Sequence, residues 1–221
     1  NYMGGGGHGF AYEINDNKVL KITSDVSEAD AASKLMRANP EYLNRIYNLY
    51  KVYDTENKKS YFVIIQENIN NKPLDKIRNI QENISSIKPN DMTYEDILVS
   101  IRKPHRFNYD EWQEVAKQIL TANPNAGVGE TDRREAYEFL MGMLNIRQEL
   151  IDYGIKSTDY ITNQNLGYED GKLKFFDIGG YVSRDEPNIP DNNVIHIEED
   201  DFPPHKQGHD NEPLPNNALD A

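Results

Sequence analysis

The spacing of apolar positions changes character along the chain, and those changes predict its elements. Phe10 to Ile14 alternates apolar and polar side chains, Asn15-Asp16-Asn17 carries turn chemistry, and Val19-Leu20-Lys21-Ile22 resumes as strand, which predicts a first hairpin. Ser27, Glu28 and the stripe Ala29, Ala32, Leu35, Met36 predict a helix entered through a Ser or Asp cap and ending before Asn39-Pro40. Tyr47 to Tyr53 and Tyr61 to Ile65 are strand runs joined by a polar turn from Asp54 to Lys59. A polar linker from Gln66 to Asn71 follows. Residues 75–105 mix periods and are assigned no element. Helical spacing returns in Tyr109 to Leu120 through Trp112, Val115 and Ile119, and more strongly in Ala136 to Tyr153, with Ala122 to Gly129 as a loop between them.

The most specific local signal is the segment from Asn165 to Gly179. If Asp170-Gly171 forms the two-residue turn that this dipeptide favours, Glu169 pairs with Lys172, Leu166 with Phe175 and Asn165 with Phe176. Asn165 and Asp177 then stand side by side at the open end. A carbonyl oxygen beside a carboxylate, both held by strands, suits a hard cation such as Mg²⁺ that keeps positions for phosphate oxygens. An ordinary surface hairpin is the plainer account of the same residues.

Composition narrows the classes. A chain of 221 residues can bury one core or two small lobes. No apolar run approaches the roughly 18 residues of a membrane helix, and no membrane partner is expected. With no Cys there is no thiol nucleophile and no Cys-ligated zinc, which fits a reducing cytoplasm, or a host-cell cytoplasm for a viral protein. The net charge of −13 argues against nucleic acid as a partner. From Arg184 to Ala221 ten acids face two bases, with six prolines and few aromatic residues, so residues 184–221 are expected to form an acidic, disordered tail. The chain opens Asn1-Tyr2-Met3, as expected of a processed product or a piece of something longer.

Three further features bear on chemistry. Gly4-Gly5-Gly6-Gly7-His8-Gly9 fits G-x-G-x-x-G and runs straight into a strand, so bare backbone can approach phosphate oxygens; alone, such a run is more often a flexible linker. Lys21 is the single cation in an apolar strand, a position that a snorkelling surface Lys also explains. Glu28 can reach Lys21 from the helix, or can simply be a first-turn acid favoured by the helix dipole. The five His residues show no ligand spacing on a predicted element, and the Tyr-rich stretch from Tyr42 to Tyr53 reads as strand packing.

In the order Gly4, Gly6, Gly9, Lys21, Glu28, the linker at Glu67-Asn68, Asp159, Asn165 and Asp177-Ile178-Gly179, the chain resembles the protein-kinase-like superfamily, over about residues 4–181. The resemblance implies an α+β, two-lobed protein-kinase-like fold. Residues 1–69 would form an N-lobe of five antiparallel strands and one helix with a hinge near Gln66 to Ile69, and residues 70–183 a reduced, mainly helical C-lobe. It implies ATP and Mg²⁺ as cofactors. The glycines would cover the phosphates, Lys21 paired with Glu28 would hold them, Glu67 and Asn68 would border the nucleotide, Asn165 and Asp177 would bind Mg²⁺, and Asp159 would accept a proton from the attacking hydroxyl. The acceptor, a small molecule or a protein, is not specified.

The departures from the family pattern are specific. Ser157-Thr158-Asp159 stands where the family has His-Arg-Asp, and Asp159 precedes Asn165 by six residues where the pattern has five. Three readings stay open: a one-residue insertion, Asn163 as the metal ligand, or a loop that has lost its base. Nothing after Gly180 resembles an activation segment. The expected function is an ATP- and Mg²⁺-dependent phosphotransferase; the alternative is a pseudokinase that binds nucleotide or a partner without transfer, as a segment of a larger polyprotein or on its own.

Overall fold

The computed structural model describes residues 1–6, 9–103, 107–122, 127–157, 160, 162–179 and 186–197. It is an α+β structure with a mainly antiparallel six-stranded sheet, a separate two-stranded hairpin and five helices. Strands β1 (Tyr2–Gly6), β2 (Gly9–Asn15) and β3 (Lys18–Thr23) form a meander. Helix α1 (Val26–Leu35) follows, and then β4 (Ile46–Asp54) and β5 (Lys59–Glu67). Its entry is set by Asp25, whose carboxylate accepts the Ser27 N–H at 2.8 Å. The sheet order is β1-β2-β3-β5-β4-β8, where β8 is Val194–Ile197.

The strand count differs from the expected five, and the difference comes from the segment read as a disordered tail. Residues 194–197 pair in parallel with β4, from Lys51 opposite Val194 to Asp54 opposite Ile197. Asn193 donates its side-chain N–H to the Leu49 carbonyl at 2.9 Å just before the strand begins. Net charge and proline content are averages over the segment, and they hide Val-Ile-His-Ile, a four-residue run sufficient to cover a sheet edge. Residues 198–221 lie outside the described residues.

The chain leaves the sheet through residues 68–73 into α2 (Leu74–Ile87), α3 (Tyr94–Ile101), α4 (Tyr109–Leu120) and α5 (Glu130–Asp152). Helices α2 and α3 occupy the stretch that the sequence left unassigned. Ile77, Ile80 and Ile84 make a buried stripe at spacings of three and four on α2. The break after α2 is backbone-driven, with Lys88, Asn90 and Asp91 all at positive φ around Pro89. Helix α3 restarts from a capping box in which Thr93 and Asp96 bond each other's backbone N–H. Helix α5 begins six residues earlier than its apolar period predicts, because Glu130 to Glu135 is mostly charged, with no apolar side chain to carry the period.

One continuous apolar cluster runs through both layers. Ala29, Ala32 and Leu35 of α1 meet Leu49, Phe62 and Ile64 under the sheet, and the cluster continues through Leu43, Leu166 and Phe175 to Phe139, Leu140 and Met143 of α5. The two layers are also clamped by charge. The Glu149 carboxylate on α5 accepts the backbone N–H groups of Glu41, Tyr42 and Leu43 at 2.7, 2.9 and 3.1 Å. Among the described residues no helix is long and apolar enough to cross a membrane.

The role of β8 can be read from two truncations. A chain ended after Ile197 should keep its melting temperature within about 2 °C, since residues 198–221 contain few apolar side chains to bury. A chain ended after Asp185 uncovers the β4 edge and should melt roughly 5 °C lower and aggregate more readily. Equal melting temperatures for the two truncations would show that β8 contributes nothing.

Candidate functional site

The hairpin of β6 (Leu166–Glu169) and β7 (Lys172–Phe175) has the register expected from its turn. Leu166 pairs with Phe175 and Glu169 with Lys172, and Asp170 and Gly171 have φ of 49° and 77°, as a type I′ turn requires. The pairing extends one step, since the Phe176 N–H donates to the Asn165 carbonyl at 3.1 Å. Asn165 is therefore opposite Phe176, next to Asp177, at the open end of the hairpin.

That end faces Lys21. Its ammonium lies between two carboxylates, bonding Glu28 of α1 and, at 2.8 Å, Oδ1 of Asp177. Thus the three residues singled out in the sequence, 156 positions apart at the extreme, converge on one point. Burial alone would lower the Lys21 pKa, but the Glu28 and Asp177 carboxylates outweigh it and hold the ammonium above its ordinary range. Burial raises the proton affinity of Glu28, an effect that Lys21 opposes. The Glu28 side chain is 11 % exposed, whereas Asp177 is 42 % exposed and open to the cleft.

Two small residues make this arrangement possible. A Cβ on Gly179 would stand 2.4 Å from Cγ of Glu28, so glycine there is what lets Glu28 reach Lys21. The Gly179 carbonyl in turn accepts the hydroxyl of buried Ser157 at 3.0 Å. Ser157 and Tyr160 flank the expected base, Asp159, which lies outside the described residues. Tyr160 is fully buried, with its ring edge-on to Phe175 at 6.1 Å and burial pushing its hydroxyl up to about 12. Both neighbours of that segment are thus fixed to the hairpin end that carries Asp177.

Lys21 and Asp177 line a cleft of about 300 Å³ between the sheet and the helical layer, at the small end of the range for ligand sites. Gly4, Gly9, Phe10 and Ala11 border it from β1 and β2, Glu67 from the end of β5, and Asn68 and Ile69 from the segment joining the layers. Gly4 has φ of 149° and nothing within 4 Å of where a Cβ would be. Gly9 has a different reason to be glycine: a Cβ there would meet the Ile22 carbonyl at 2.0 Å, so its absence serves strand packing. Gly6 pairs with Gly9 across β1 and β2, which makes the glycine run a strand as far as residue 6; Gly7 and His8 lie outside the described residues.

Glu67 and Asn68 border the cleft, yet their polar groups are used internally. The Glu67 carboxylate binds Lys174 at 2.7 and 2.9 Å and the Arg45 N–H at 3.1 Å. The backbone N–H of Glu67 donates to Arg45 and that of Asn68 to Asn17, both within the protein. These two residues shape the wall, and their side chains fix the chain's exit from the sheet. Asn163 is also spoken for: its amide and that of Gln81 on α2 exchange hydrogen bonds at 2.6 and 3.0 Å. Of the two asparagines, Asn165 is the one that the register sets beside Asp177.

Lys72 is a residue the sequence did not mark. Its ammonium sits 4.1 Å from the centre of the Phe176 ring, on the cleft wall, where burial lowers its pKa and Asp177 raises it. It stands alone in Asn-Asn-Lys-Pro, without periodic context, and only folding brings it to Asp177.

Asp177 and Asn165 are the residues that could hold a Mg²⁺ at this end of the cleft. One exposed carboxylate and one amide carbonyl supply hard oxygens, in line with a cation that takes one or two protein ligands and draws the rest from phosphates and water. Among the described residues no group of three or more His, Cys or acidic side chains forms a metal cage. Compared with family models and with curated proteins, the chain matches none.

The Gly179 contact yields a thermodynamic test. Gly179→Ala should destabilise by about 1–3 kcal/mol through overpacking against Glu28. In a Glu28→Ala background the same substitution should cost much less, a non-additivity measurable by urea unfolding. Strictly additive effects would mean that Gly179 and Glu28 do not constrain each other. Lys21 gives a pH signature. Its raised folded pKa means that its stabilisation is complete below about pH 10.4 and is lost as pH rises through the folded value. The stability gap between wild type and Lys21→Met should therefore be flat near neutrality and shrink at strongly alkaline pH.

Proposed function

We propose that the chain is a compact, kinase-like phosphotransferase that binds ATP with Mg²⁺ in the cleft between the sheet and the helices. The observation that carries this reading is the convergence of Lys21 on Glu28 and Asp177 in the wall of that cleft, beneath the glycine-bearing strands. A cation held charged by two acids, one buried and one open, is poised to exchange part of its pairing for phosphate oxygens. Asp177 and Asn165 would hold Mg²⁺, which when bound would offset the charge that builds on the transferring phosphoryl group. Lys21 orients the phosphates, Glu28 keeps Lys21 in place, and Asp159 accepts the proton of the attacking hydroxyl. In this reading the sheet is the N-lobe and the helical layer the C-lobe of a two-lobed kinase-like fold.

A second reading, nucleotide binding without transfer, draws on the catalytic segment. With Asn163 tied to Gln81, the spacing from Asp159 to Asn165 remains one residue longer than the family pattern, as in a loop whose base has been lost.

Millimolar ATP with Mg²⁺ should raise the melting temperature, and Lys21→Met or Asp177→Ala should remove most of the shift. Asn165→Ala should weaken the Mg²⁺-dependent part, whereas Asn163→Ala should lower stability through loss of the Gln81 pair and leave that part intact. Asp159→Asn should slow phosphoryl transfer by roughly 10²-fold with little change in affinity. An unmoved melting curve for the wild type rejects the binding site; a shift with no transfer of labelled phosphate to any acceptor selects the second reading.

A further inference from the structure

The sheet has a second apolar face. In an antiparallel sheet covered on one side, outward positions ordinarily read polar. Here the register sets Phe10 of β2 opposite Ile22 of β3, Ile22 opposite Val63 of β5, and Val63 opposite Tyr50 of β4. The next row runs Tyr2, Tyr12, Leu20, Ile65 and ends on Asn48. A third joins Tyr61, Val52 and Ile195 of β8. These rows alternate with the inward Phe62, Ile64 and Leu49, which are buried against α1, so they occupy the opposite side. Phe10, Ile14 and Ile195 are 53, 49 and 46 % exposed. No Lys, Arg, Asp or Glu falls within the three rows.

We propose that this face is a dimer interface, covered by the same face of a second copy of the chain in a sheet-on-sheet contact. Several observations select that occupant. A surface without charge at its centre and rich in Tyr and Phe has the composition of an interface core, and it is complementary to itself because no like charges meet across a two-fold axis. The sheet's twist allows two such faces to stack about 10 Å apart. With aromatic side chains burying about 150–250 Å² each when fully covered, the partly exposed rows offer on the order of 700–800 Å², close to the roughly 800 Å² per partner of a standard stable interface. The chain's own C-terminal residues are a poor cover: from 198 to 221 the large apolar side chains are Phe202, Leu214 and Leu219, set among prolines and acids. An anionic lipid or nucleic acid would meet no cation in the rows to pair with its phosphates.

Sedimentation equilibrium of the full chain across about 1–100 μM should give a mass near twice 25.4 kDa, with dissociation only at the dilute end. Phe10→Glu combined with Tyr12→Glu should yield a monomer with an unchanged circular dichroism spectrum, since both side chains are already exposed. Val99→Glu, at an equally exposed apolar position on α3, should leave the dimer intact. A wild type that stays monomeric at 100 μM overturns the proposal. So does a dimer that survives the double substitution, or one that Val99→Glu abolishes equally well.

Discussion

The register of the β6–β7 hairpin is the constraint on which the rest of the site depends. Side chains change face with every residue of a strand, so a slip of one position would turn Asp177 away from the cleft. The Asp170-Gly171 turn fixes the register from one end. Backbone bonds fix it from the sides: Phe175 gives its N–H to Tyr42 and accepts from Asn44, and Tyr168 donates to Asn71. The hairpin thereby touches the loop before β4 and the segment after β5, the two stretches by which the sheet meets the helices. Glu149 holds the first of these stretches to α5, so the hairpin is docked on a loop that is itself immobilised.

Lys21 turns this geometry into electrostatics. Its backbone belongs to the sheet, Glu28 belongs to α1, and Asp177 follows β7, so a single ammonium joins three separately built elements. Such a half-buried triad is costly to assemble and costly to break, because removing one partner leaves another desolvated charge unpaired. Gly179 and Ser157 keep that geometry, one by leaving room for Glu28 and the other by holding the backbone carbonyl. Lys72, over the Phe176 ring, lines the same cleft as Asp177 and feels its charge, so a second cation belongs to the wall that carries the open carboxylate.

Much of this was legible before folding, and the exceptions have physical reasons. Turn chemistry at Asp170-Gly171 and period-two alternation are local, and both held in the structure, as did the pairing of Lys21 with Glu28, which lie seven residues apart on adjacent elements. Helix α2 was missed although Ile77, Ile80 and Ile84 carry its period, because polar residues outnumber them and no capping side chain announces the start. The strand at residues 194–197 was hidden by the acids and prolines around it, since a sheet edge asks for only four suitable residues. The engagement of Glu67 with Lys174, and of Asn163 with Gln81, joins positions 107 and 82 residues apart, beyond the reach of any local pattern. Those two contacts decide which polar groups near the cleft are already occupied.

Period-two geometry also makes the cleft and the outer face two sides of the same strands. Ala11 lines the cleft while its neighbour Tyr12 points outward, and Phe10, which the register sets in the outer rows, borders the cleft as well; Lys21 reaches Glu28 and Asp177 while Leu20 and Ile22 point outward. A strand has one backbone, and its twist and register cannot change for one face alone. The close approach of Gly9 to the Ile22 carbonyl ties β2 closely to β3 beside Phe10 and Ile22 of the outer rows. Whatever covers the outer face therefore acts on the strands that carry Lys21 and the glycines, and it does so through backbone geometry without any side chain crossing the sheet.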